Sequence, residues 1–141
     1  MATESERPLL DKLGVKPGMR VSLLDIGVDW FRELLAERTD DVHDAPAQGS
    51  DLVFMKAEAR ADLARLGELR RLIKENGAIW VLRRKGAGRT LSETDLIDAG
   101  PAAGLVDNKI VSFSAELGAM RFVIRVRDRI GLRISEKASE E

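Results

Sequence analysis

The stretch Met19-Arg20-Val21-Ser22-Leu23-Leu24-Asp25-Ile26-Gly27 decides how this chain folds. Val21, Leu23, Leu24 and Ile26 make it apolar at the density expected of a strand covered on both faces. Asp25 and Gly27 end it in an acid and a tight turn, the kind of strand edge where open α/β sheets hold their ligands. Pro17-Gly18 forms the turn that launches it. Before it, Leu9, Leu10 and Leu13 have helical spacing, with Gly14 as the stop. After it, Phe31, Leu34 and Leu35 form the apolar stripe of a helix over 29–38. Asp29 is placed to cap that helix by accepting free backbone N–H groups.

Residues 39–51 read as loop, with at most a short strand around Val42. The apolar run 52–55 is a buried strand. A helix is predicted over 58–75, with Leu63, Leu66, Leu69, Leu72 and Ile73 on one side and Asn76-Gly77 as its stop. Residues 78–82 form a second buried strand, which makes Trp80 a core residue. Thr90 and Glu93 form a capping box for a helix carrying Leu96 and Ile97. Gly100-Pro101 interrupts or restarts that helix, and Gly104 ends it. Strands over 105–114 and 120–127, joined by a turn containing glycine, make a closing hairpin. In the last strand Phe122, Ile124 and Val126 mark a packed face, and Val123, Arg125 and Arg127 a partly wet one.

This order predicts an α/β, three-layer domain. Its sheet is mostly parallel, has helices on both faces and is closed by a C-terminal antiparallel β-hairpin. One domain is expected over 9–127, between a flexible N-terminus over 1–8 and a flexible C-terminal tail over 128–141. In that tail Ile130, Leu132 and Ile134 continue a strand-like alternation.

The composition excludes several chemistries. Among 141 residues, 23 Lys and Arg face 24 Asp and Glu, a net charge of -1. That balance gives no global pull toward nucleic acid or an anionic membrane. The absence of cysteine rules out disulfides, thiolate nucleophiles and cysteine-held metals. His43 is the single histidine, so any Ser-His-Asp triad would have to use it. No apolar run approaches the ~18 residues of a membrane span, and Met1 to Pro8 lacks an apolar signal core. A soluble, cytoplasmic protein without nucleic-acid or membrane partners is expected.

Three places carry candidate chemistry. Asp25, Gly27 and Asp29, with Trp30 one step off the helix stripe, mark a small-molecule pocket or partner face at the strand ends. Arg83, Arg84, Lys85 and Arg89, with Gly86 and Gly88, form a basic loop between a strand and a helix that could hold phosphate or carboxylate. It lacks the Gly-Lys-Ser/Thr ending of a phosphate loop. Asp40, Asp41, His43 and Asp44 are a loose set for Mg²⁺ or Mn²⁺ but read as a solvated polar loop, so no metal is expected.

Lys16-Pro17-Gly18-Met19-Arg20-Val21 and Asp25-Ile26-Gly27 resemble the first motif of methyltransferases that use S-adenosylmethionine. Asp51-Leu52-Val53, Asn76-Gly77-Ala78-Ile79-Trp80-Val81 and the closing hairpin resemble their later strands, so the likeness covers about 14–127. The whole chain is similar to a small, uncharacterised bacterial family of methyltransferase-like domains. That similarity rests on Pro8-Leu9-Leu10-Asp11-Lys12-Leu13-Gly14-Val15-Lys16-Pro17-Gly18, Gly77-Ala78-Ile79-Trp80-Val81 and Gly104-Leu105-Val106-Asp107-Asn108-Lys109. The resemblance implies a Rossmann-like fold.

It also shows what has changed. In the enzymes, glycines after the position of Gly27 let the backbone approach the methionyl part of the cofactor, whereas Asp29 and Phe31 stand here. The enzymes then have a strand ending in an acid that holds the ribose hydroxyls, followed by another helix and strand. Residues 39–50 are too few for that unit. The expectation is a non-catalytic binding or regulatory module that has lost the S-adenosylmethionine site and uses no cofactor. Its partner would be an unidentified small molecule or protein. The alternatives are a minimal S-adenosylmethionine-dependent methyltransferase, and a homo-oligomeric assembly protein pairing through its last strand or C-terminal segment.

Overall fold

The computed structural model describes residues 8–129. The expected flexible ends, and the alternation at Ile130, Leu132 and Ile134, fall outside those residues except for Pro8, Asp128 and Arg129. Along the chain run α1 (Leu9–Leu13), β1 (Val21–Leu24), α2 (Asp29–Leu35), β2 (Val42–His43), β3 (Ser50–Lys56), α3 (Arg60–Leu63), α4 (Leu66–Arg70), β4 (Ile73–Arg84), α5 (Glu93–Ala102), β5 (Leu105–Ser112) and β6 (Leu117–Ile124). The six strands form one sheet in the order β2-β1-β3-β4-β6-β5. β2, β1, β3 and β4 are parallel, and β6 lies antiparallel between β4 and β5. This is the expected three-layer arrangement, closed by an antiparallel hairpin.

Alternation along the central strands divides the core into two layers. Phe54, Trp80 and Leu82 face α1 and α2, where Leu10, Leu13, Phe31 and Leu35 cover them. Val53, Met55, Ile79 and Val81 face the other way, under Leu63, Leu66, Leu69 and Leu96 of α3, α4 and α5. Each such side chain taken out of water contributes about 1.5–3 kcal/mol. Trp80 is fully buried and its Nε1 donates to the Leu13 carbonyl at 3.1 Å, so the indole also fastens α1 to the sheet.

Several local expectations are corrected. The helix predicted over 58–75 is two short helices, and its last residues belong to β4. Asp62 accepts from the N–H groups of Glu58 and Ala59 at 2.8 and 3.0 Å, which fixes where the first one starts. Asn76-Gly77 is not a helix stop but an irregularity in β4, where Ser50 pairs with Ile73 and Leu52 with Ala78. A Cβ on Gly77 would lie 2.8 Å from the Asp51 carbonyl oxygen, so a bare backbone is required there.

The helix predicted over 29–38 ends at Leu35, and Asp29 is its first residue rather than its cap, which is Val28. The capping box of α5 is Ser92 with Asp95, not Thr90 with Glu93. Pro101 sits inside α5 without interrupting it. In the hairpin, β6 starts three residues earlier than predicted, and Val126 and Arg127 lie in a short 3₁₀ turn beyond it. The partly wet face expected of that strand is therefore absent, since β6 is buried throughout except at Arg121.

Candidate functional site

The carboxyl end of β1 shapes a cleft. Asp25 takes a left-handed conformation, φ 55°, and Gly27 another, φ 70°. Two such turns within three residues bend the chain sharply off the sheet before α2 begins. Positive φ at Gly27 costs little, but at Asp25 it is a conformation that non-glycine residues rarely adopt. The resulting cleft has a volume of about 190 Å³, and Asp25, Gly27, Asp29, Arg32 and Asp44 are among its lining residues. Three of the four predicted residues, Asp25, Gly27 and Asp29, thus share one cavity.

Trp30 is 43% exposed. Its ring stacks at a tilt on Phe113, centroids 5.3 Å apart, and meets Phe31 edge-on at 5.9 Å. Phe31 in turn packs against Phe54 and Phe113, so the start of α2 is held by an aromatic cluster.

Arg32 and Asp44 were not among the pocket residues expected from sequence. Arg32 of α2 forms an ion pair with Asp44, the residue directly after β2, across this cleft. Nothing local to Arg32 marks it as a cleft residue, and the signal that could find the pair is β2 itself. The short strand allowed around Val42 is β2, and residues 39–50 are, as expected, too few for a strand, helix and further strand. β2 exists and Asp44 follows it, but no helix or further strand comes after. Residues 44–49 lead directly into β3.

That return is fixed by hydroxyls. The buried Ser22 and Ser50 lie Oγ to Oγ at 2.8 Å; Ser22 Oγ accepts from the Ala47 N–H at 3.1 Å, and Ser50 Oγ donates to the Ala47 carbonyl at 2.6 Å. Asp41 accepts from Arg20 Nε at 3.1 Å and bonds His43 Nε2 at 2.6 Å. The His43 bond first, then Arg20, holds the Asp41 carboxyl below its usual value. These two side chains of the loosely proposed metal set therefore engage each other, and no group of three or more potential ligands occurs among the described residues.

The basic loop is largely spoken for. Arg83 donates to the Leu91 carbonyl and pairs with Glu93 at 3.4 Å, Arg84 pairs with Glu58 at 3.1 Å, and Lys85 Nζ donates to Ser112 Oγ at 2.8 Å. Arg89 alone of the four has no side-chain partner among the described residues. The structure does not bring the four cations to one point.

No protein-family model and no curated protein matches the chain. Solved structures do. An S-adenosylmethionine-dependent methyltransferase from Aquifex aeolicus superposes with TM-score 0.63 at 16% identity, over 82% of this chain and 88% of that one. Magnesium protoporphyrin IX methyltransferase from Synechocystis PCC 6803, with S-adenosylmethionine bound, gives 0.59 at 11% identity over 82% and 74%. The fibrillarin pre-rRNA processing protein of Methanococcus jannaschii gives 0.60 at 9% identity over 78% and 68%. The fold is methyltransferase-like. At these identities the likeness is one of fold, and the chemistry of this methyltransferase-like domain rests on its own cleft. Among the described residues no helix is long and apolar enough to cross a membrane.

Proposed function

We propose that this methyltransferase-like domain is a non-catalytic binding module, bacterial and cytoplasmic, that has given up the S-adenosylmethionine site. The observation that carries the reading is the Arg32–Asp44 pair across a cleft of about 190 Å³. Ligand sites for molecules of this kind enclose about 300–1,000 Å³. The residues present fit the cofactor poorly. Asp25 and Asp29 put two carboxylates where a methionyl carboxylate would need donors. Asp44, the acid best placed for ribose hydroxyls, is engaged by Arg32. The short return over 44–49 supplies no helix or strand to wall an adenine ring. The strand-end cleft beside Trp30 is the favoured site for a smaller ligand or a partner side chain. The basic loop is less favoured, because Arg83, Arg84 and Lys85 already have partners.

One observation favours the alternative of a minimal S-adenosylmethionine-dependent methyltransferase. Asp44 follows β2 and faces the same cleft as Gly27, and an Arg32–Asp44 pair this exposed is weak enough for a ligand to displace. Titration calorimetry with S-adenosylmethionine and S-adenosylhomocysteine separates the two readings. The module gives no saturable heat with either, for wild type and for Arg32→Ala. Low-micromolar binding of either compound by wild type would contradict loss of the cofactor site and favour the enzyme reading.

A further inference from the structure

A second cavity, sharing no lining residue with the cleft at β1, lies in the helical layer over the opposite face of the sheet. It is a groove of about 400 Å³ between α3–α4 and α5, with Leu63, Ala64, Gly67, Ala99 and Ala102 on its apolar floor. A second hollow of about 370 Å³ continues it and shares Ala64, Gly67, Ala102 and Ala103. Gly67 is informative. Its backbone needs no positive φ, and a Cβ there would meet nothing within 4 Å. Neither conformation nor internal packing calls for a glycine inside α4, and glycine weakens a helix. A surface that must be approached closely by another backbone does call for one.

The two ends of this groove carry different charges. Arg60 and Asp95 line the end at the start of α3 and α5, and Asp98 lies further along α5. Glu68, Arg70 and Arg71 line the end where α4 and α5 finish. Arg60 is already paired with Asp95 and Arg70 donates to the Gly104 carbonyl, whereas the side chains of Asp98, Glu68 and Arg71 have no partner among the described residues. A copy of the same surface turned end over end would bring Asp98 toward Arg71, both without a side-chain partner among the described residues, and Glu68 toward Arg60, which Asp95 already holds. The same operation lays the small floor residues of the two copies against each other. A two-fold contact of this kind is self-complementary, because each pairing occurs twice.

We propose that this helical face is the interface of a homodimer whose occupant is a second copy of this chain in that antiparallel setting. Sheet-edge pairing is the weaker route to assembly. β6 is internal, and the edge strand β5 carries a bulge between Asp107 and Lys109, a device that discourages edge-to-edge contact. The proposal is independent of what the strand-end cleft binds.

Sedimentation velocity at concentrations up to hundreds of micromolar, on wild type, Asp98→Arg, Arg71→Asp and the double variant, tests it. Both positions are exposed, so circular dichroism should report an unchanged fold. The proposal expects a wild-type dimer, weakening of about tenfold or more in each single variant through like-charge juxtaposition, and recovery in the double. A wild type that stays monomeric throughout overturns it and leaves the groove to a different partner. Single variants that dimerise like wild type, or a double no better than the singles, also overturn it.

Discussion

Ser22 and Ser50 meet hydroxyl to hydroxyl at 2.8 Å inside the sheet, and Ala47 is bonded to both. β2 and β3 flank β1 on its two sides, about 10 Å apart by strand spacing. A connection between parallel strands usually takes a dozen residues or more. Residues 44–49 suffice here because β2 pairs only with Val21 and Ser22, near the start of β1, and the chain has little height to recover. The serine pair satisfies the backbone of that shortcut where it enters the sheet. Ser22→Ala removes the acceptor of the Ala47 N–H and should cost about 1–3 kcal/mol. Urea unfolding measures the cost, and hydrogen exchange should quicken at residues 44–49. An unchanged midpoint would show that the serines do not hold the shortcut.

Asp25 holds a left-handed conformation. Its substitutions should therefore sort by backbone and not by charge. Asp25→Asn and Asp25→Gly are expected to change stability little. Asp25→Val should lose about 1–3 kcal/mol. Thermal unfolding of the three variants decides the matter, and a valine variant as stable as wild type would show that the turn is relaxed.

Trp80 both fills the core and anchors α1. Trp80→Ala should cost about 3–5 kcal/mol through the cavity it leaves. Trp80→Phe keeps most of the volume, loses the bond to the Leu13 carbonyl, and should cost less while loosening α1. Denaturant midpoints and exchange rates at Leu10 and Leu13 read the two effects apart.

Three aspartates stabilise the fold only when ionised. Asp62 is held below its usual value of 3.8 by the N–H groups of Glu58 and Ala59, Asp95 by the Ser92 N–H, and Asp41 by His43 and Arg20. A carboxyl depressed in the folded state binds fewer protons there than in the unfolded chain. Its contribution is therefore present above pH 3.8 and is lost as pH falls toward the folded value. Stability measured from pH 6 downward should drop on the acid side. The drop should be shallower in Asp62→Asn and Asp95→Asn, whose starting stability is also lower.

The sheet was legible wherever a strand is covered on both faces, because runs such as Ile79-Trp80-Val81-Leu82 leave no other assignment. Helices were legible where tertiary contacts agree with the apolar period, as in α1, whose Leu10 and Leu13 are both buried. The failure over 58–75 has a local cause. Leu72 and Ile73 continue the helical period but also suit the start of a buried strand, and close packing of Gly77 against the Asp51 carbonyl favours the strand. At the site, Asp25, Gly27 and Asp29 were legible because they are neighbours in sequence. Arg32 with Asp44 was not, because their meeting depends on a two-residue strand whose pairing with β1 leaves almost no trace in composition.

The end of β1 leaves an adenosyl group neither the space nor an unpaired acid at Asp44. A crystal structure grown in saturating S-adenosylhomocysteine reads this out. An intact Arg32–Asp44 pair and no nucleoside density beside Gly27 are expected. Ordered density for the adenosyl group in that cleft, with Asp44 turned from Arg32 to the ribose, would contradict it.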